Sequence, residues 1–106
     1  TRMNIQTERK SKFMFTNRYI TKGVQLEVPV VLQLFMWDCI NVVPEPKDYL
    51  QIFRLSCVDG KRKIVHEQEQ PEFKREYLLT VPNPVTTKVY VIDSETYSTM
   101  LLAEEY

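Results

Sequence analysis

The stretch at residues 29–43, PVVLQLFMWDCINVV, constrains the fold more than any other part of the chain. It is the one long apolar run with a helical period, and nearly everything after Asp48 reads as strands. Strands must bury one face against another layer, so this helix is expected to cover the sheet. At about 100° per residue, Leu32, Phe35, Met36, Cys39 and Val43 fall on one side, with Val31, Ile40 and Val42 on its flanks. Pro29 suits the first helical turn, where a missing N–H costs nothing. Pro44 and Pro46 end the helix, because each drives the preceding residue out of the α region. The opposite side carries Val30, Gln33, Trp37 and Asn41, with Leu34 and Asp38 beside them. Trp37, the one tryptophan of the chain, is thereby set roughly 140–160° from the centre of the buried side.

A large aromatic on the wrong side of a helix marks a contact surface. Val30, Gln33, Leu34, Trp37 and Asn41 are therefore the candidate partner-binding residues, for a protein partner or a homodimer. The competing reading is that the chain covers Trp37 itself, with residues 13–15 or 101–106.

The strand pattern begins with residues 17–24, NRYITKGV, a short strand ending near Gly23, and residues 25–28 lead into the helix. Residues 49–58 are rich in aromatic and branched side chains, as strands are. Asp59-Gly60 is the strongest hairpin signal in the chain, so residues 61–70 return as its partner until Pro71. Residues 73–81 alternate, with Phe73, Tyr77, Leu79 and Val81 on one face. Pro82-Asn83-Pro84 turns into a strand at residues 86–93. Residues 96–103 read as the last strand; a short helix capped by Ser94 is the alternative. The expected fold class is α+β: one main helix packed on an antiparallel sheet of five or six strands, largely a meander. The second sheet face is not polar, since Leu50, Ile52, Leu78, Tyr90 and Ile92 point there. The N-terminal strand, the C-terminus or a partner must cover part of it.

A chain of 106 residues with 43% hydrophobic and 26% charged side chains fits one soluble domain, taken here as residues 13–106. Residues 1–12 are polar and aperiodic, and read as a disordered basic extension. The formal net charge is zero, so no global field draws nucleic acid or membrane. The basic arm and the Lys61–Lys63 hairpin nevertheless define an alternative, a nucleic-acid-associated regulator. The acids Glu67, Glu69, Glu72 and Glu76 counter that field, and lysines on edge strands also block sheet aggregation.

Catalytic signals are sparse. His66 is the one histidine. As a general base it needs a nucleophile or an orienting acid within reach. Cys39 and Cys57 read as reduced core residues, without the close spacing of zinc ligands. Neither a metal nor a cofactor is expected, and no catalytic residue is assigned. A small hydrolase or ligand-binding protein centred on His66 remains a further alternative. No secretory signal is visible, and the apolar helix is too short to span a membrane. A cytoplasmic location is expected.

Several ordered blocks carry a resemblance: NRYITKGV, the Pro-initiated helix with its central tryptophan, DYLQIFRLS, KIVHEQEQPEFKREY and VYVID…YSTMLLAEEY. From about Phe15 to Tyr106 the chain resembles a family of small proteins from low-GC Gram-positive bacteria and their phages and plasmids. That family is classed as a domain of unknown function. The resemblance implies a cytoplasmic bacterial setting and a link to mobile elements, and it brings no catalytic residues. The main expectation is a non-enzymatic protein-interaction module.

Overall fold

The computed structural model describes residues 14–80 and 85–106. The arm at residues 1–12 and the turn at residues 82–84 lie outside the described residues. Strand β1 (Arg18–Ile20) is followed by helices α1 (Lys22–Glu27) and α2 (Val30–Asn41). Then come β2 (Leu50–Val58), β3 (Lys61–Gln68), β4 (Phe73–Leu79), β5 (Thr87–Asp93) and β6 (Ser98–Leu102), with a 3-10 turn at Ala103–Glu105.

Among the described residues the strands form one sheet in the order β1-β6-β5-β2-β3-β4. Its class is α+β, as expected, but the sheet is mixed. β1 runs parallel to β6, while the other pairs are antiparallel. The meander holds for β2-β3-β4 and for β5-β6. β5 then returns to the free edge of β2, so β4 and β5 are consecutive in the chain but not neighbours in the sheet. The β2–β3 turn is the one the sequence announced. Asp59 and Gly60 both take positive φ, 52° and 76°, as the tight hairpin turn that follows strand twist requires.

The lead-in to the long helix is itself helical. Thr21 caps α1 by accepting the Val24 N–H at 3.3 Å. The same hydroxyl donates to the Glu105 carboxylate at 2.6 Å. Glu105 also accepts the N–H groups of Gly23 and Leu102, at 3.2 and 2.8 Å. A Cβ at Gly23 would lie 2.5 Å from that carboxylate. Glycine therefore stands there because the C-terminal turn latches onto α1 at close range.

The core lies between α2 and one sheet face, where Phe53, Leu55, Ile64, Val89, Val91, Met100 and Leu102 alternate inward. The buried side of α2 is Leu32, Gln33, Met36, Trp37, Cys39 and Ile40. Trp37 is only 7% exposed, which corrects its expected place on the outer side. The buried arc centres on Met36 and Ile40, not on Phe35. That shift of roughly 55° turns Trp37 from the back of the helix to its flank. Phe15, which is fully buried, joins Trp37 in the core cluster. The Arg18 guanidinium lies over the indole at 4.6 Å. Gln33 is buried as well, donating to the Val28 carbonyl at 2.8 Å. Phe35 is half-buried on the opposite flank, edge-on to Tyr77 at 5.1 Å.

On the second sheet face, Ile52, Tyr90 and Leu101 form a row across β2, β5 and β6. Tyr106 packs edge-on against Tyr90 at 5.5 Å. The C-terminus therefore covers part of this face, one of the outcomes the sequence left open.

Trp37→Ala is expected to destabilise the fold by about 3–5 kcal/mol, as truncation of a buried aromatic does. Leu34→Ala is expected to cost under about 0.5 kcal/mol. Urea unfolding measures both, and a Trp37→Ala loss below about 1 kcal/mol would return the indole to the surface. Gly23→Ala is expected to destabilise the chain, and Glu105→Ala to add less in that background than alone. Additive effects in the four-member cycle would mean that the latch does not explain the glycine.

Candidate functional site

The five residues singled out in the long helix separate in the structure. Gln33 and Trp37 are core residues, while Val30, Leu34 and Asn41 remain on the outside. Asn41 is engaged there, accepting from Arg18 Nη2 at 2.6 Å. The outer arc gains aliphatic members that the sequence placed elsewhere. Val31 and Val42 are each 60% exposed, like Leu34, and Val30 is 66% exposed. Leu26, four residues before Val30, is 74% exposed. The sequence placed Val31 and Val42 on the flanks of the buried side, and the rotation of the helix turns them outward. The available signal was that α2 is apolar nearly all round, which a helix with one wet face ordinarily is not. Asp38 is the one charged side chain within α2, and it too is exposed.

His66 sits at the other functional candidate, a buried polar network beneath β2 and β3. Gln51 Nε2 donates to Gln68 Oε1 at 2.7 Å and to the Asp48 carbonyl at 2.9 Å. The Gln51 oxygen is therefore the acceptor facing His66 Nε2, at 2.6 Å. This fixes the tautomer: Nε2 carries the proton and donates, and Nδ1 holds a bare lone pair. Nδ1 is buried without a hydrogen-bond partner. The ring stacks on Phe53 at 4.3 Å and meets Phe73 edge-on at 5.5 Å. Asp48 completes the network. Its two oxygens accept the N–H groups of Leu50, Glu69 and Gln70, which pins the β3–β4 turn to the start of β2.

The chemistry of this cluster is that of a structural network. Burial and the nearby Arg75 cation push the His66 pKa down to about 4, against a weaker upward pull from Glu67. Protonation at Nδ1 would create a buried N–H with no acceptor. The thiols are elsewhere. Cys39 is buried beside Tyr77, and burial pushes its pKa up. Cys57 is exposed, not a core residue as expected. Among the described residues, no group of three His, Cys, Asp or Glu side chains is placed to hold a metal ion. The Lys61-Arg62-Lys63 run also divides. Arg62 is 1% exposed on the core side, and Lys63 pairs with Glu76 at 3.2 Å.

A family model described as staphylococcal protein of unknown function (DUF960) matches residues 17–105. The chain belongs to this family. It is a low-GC Gram-positive bacterial domain, and the family description assigns it no activity. Among curated proteins, none matches the chain. The crystal structure of a protein of unknown function from Enterococcus faecalis is similar in fold, with a TM-score of 0.72. The two share 24% identity over 85% of this chain and 90% of that one. No helix among the described residues of this DUF960 member is long and apolar enough to cross a membrane.

The His66 geometry gives a signed pH dependence. The folded pKa of about 4 lies below the ordinary 6.5, so between those values the unfolded chain binds the extra proton. Stability is therefore expected to fall as pH drops from 6.5 towards 4, by roughly 3 kcal/mol in all from this group. Urea midpoints across that window measure it. His66→Gln is expected to flatten the slope, and an unchanged slope would mean that His66 is not the group responsible.

Proposed function

We propose that the chain is a non-enzymatic protein-interaction module that docks through the outer face of α2. One observation carries this reading: Val30, Val31 and Leu34 on the solvent side of a single twelve-residue helix, and Val42 at its C-cap, are all at least 60% exposed. A packed helix on a sheet is stabilised by its inner face alone, and its solvent side is ordinarily polar. Contiguous exposed aliphatics are instead the usual mark of a protein contact. The face expected from the sequence is thus retained at Val30, Leu34 and Asn41, without Trp37 and Gln33. Its setting in this proposal is that of an accessory or host-modulating protein of a mobile element, which the resemblance of the chain supports by analogy.

A photo-crosslinking side chain at Leu34 tests the face whatever its partner, used in cells that naturally make the protein. A discrete adduct is expected from Leu34 and from Val31, and none from Lys61 at the hairpin. Equal labelling from all three positions, or no adduct from Leu34, would remove the interaction face.

A further inference from the structure

We propose that the chain carries a further recognition site, a cleft for a neutral saccharide built around Tyr19 and Tyr97 at the β1–β6 margin of the sheet. This site does not depend on the outer face of α2 being a contact surface.

Strand register assembles it. Tyr19 is the register partner of Thr99 in the parallel β1–β6 pair, so the two share a sheet face. Ser98, Met100 and Leu102, which flank and alternate with Thr99 along β6, are buried, so that face is the outer one. The Tyr97 ring stands edge-on to Tyr19, with centroids 6.0 Å apart and planes at 78°. Together with Asn17 and Thr96 these residues line an open cleft of about 430 Å³, within the usual size range of a small-molecule site. Its frame is held by hydrogen bonds. Asn17 Nδ2 donates to the Thr96 carbonyl at 2.8 Å. The Ser98 N–H donates to the Asn17 carbonyl at 3.2 Å, and the Ser94 N–H to the Tyr97 carbonyl at 2.8 Å. A frame fixed in advance lowers the ordering cost of binding.

The lining selects the ligand class. Asn17, Tyr19, Thr96, Tyr97 and Thr99 each end in a hydroxyl or an amide, and none is charged. A phosphate, carboxylate or ammonium ligand would find no opposite charge among them. The core gains little from the two phenol rings, since Tyr19 is 59% and Tyr97 45% exposed. Set nearly at right angles, the rings form a corner. Their apolar bodies take up C–H groups, and the hydroxyls around them both donate and accept. A pyranose ring offers the matching combination, an apolar C–H face bordered by hydroxyls that donate and accept. A proline-rich strand fits less well. It brings carbonyl acceptors but few donors, and rings in edge contact leave no slot between them for a proline.

Backbone amide NMR titration of the intact chain with neutral trisaccharides is the test, using cellotriose, maltotriose and tri-N-acetylchitotriose. At least one is expected to give saturable shifts at residues 17–19 and 96–99, with a Kd on the order of 1 mM. Tyr97→Ala is expected to raise that Kd at least about tenfold, and Tyr97→Phe, which keeps the ring and the fold, roughly threefold. Leu34→Glu, on the helix face, is expected to leave it unchanged. Absence of saturable shifts from all three sugars up to about 50 mM overturns the site. Shifts centred elsewhere overturn it too, as does wild-type affinity in Tyr97→Ala. Shifts at these residues from decaproline, with none from the sugars, overturn the saccharide in favour of a proline-rich segment.

Discussion

The core is closed by a helix about 10 Å across lying on a sheet whose six strands, at about 4.8 Å spacing, span roughly 24 Å. A helix that narrow leaves the margins of the inner sheet face open. The chain closes them with two aromatics set about 200° apart on the helix. Phe35 reaches Tyr77 on edge strand β4, and Trp37 lies under Arg18 of edge strand β1. Between them, Met36 and Ile40 point down onto the centre and are fully buried. The width of the sheet thus explains why aromatics stand on both flanks of α2. It also explains why β1 and the residues before it are tied down. Phe15 donates its N–H to Asp93 at 3.0 Å, and Arg18 Nε returns a bond to the Phe15 carbonyl at 2.8 Å.

Towards β3 and β4 the inner face turns polar, and the cost of burying polar groups is met by mutual satisfaction. His66, Gln51, Gln68 and Asp48 hold one another and the β3–β4 turn. Such a network works only with a neutral imidazole, because its one remaining nitrogen has no acceptor to offer a proton. Every hydrogen bond around His66 is spent on position. The lone histidine thus reads as an anchor of the fold in a cluster where a catalytic base would need a proton path.

Much of the fold was legible in the residues. The Asp59-Gly60 turn, the strands on either side of it and the proline-bounded long helix follow from local chemistry. The rotation of that helix did not, because periodicity alone weighs Phe35 and Ile40 alike. Only the sheet width decides which becomes the centre and which the flank. The parallel pairing of β1 with β6 and the insertion of β5 beside β2 are long-range choices without a local signature. α1 was hidden because six residues hold less than two helical turns of pattern, and its stabilising acid, Glu105, is 82 residues from Gly23. Of the candidate surface, Val30, Leu34 and Asn41 were readable. Val31 and Val42 were not, since their placement depends on that same rotation.

The outer face of α2 has no explanation in the folding of a single chain. Val30 and Val31 are β-branched, and β-branching lowers helix propensity, so they do not serve to hold the helix together. The inner face already supplies the packing that fixes the helix in place. Polar residues on the outer side would favour the monomer in water, and α2 has among them only Asp38 and Asn41, the latter committed to Arg18. Aliphatic side chains kept in water at the expense of both propensity and solubility are what the proposed contact face would bury. In the function proposed above, the working part of the molecule is its helix layer. The sheet, with its buried network and its latched C-terminus, serves to hold that layer rigid and outward.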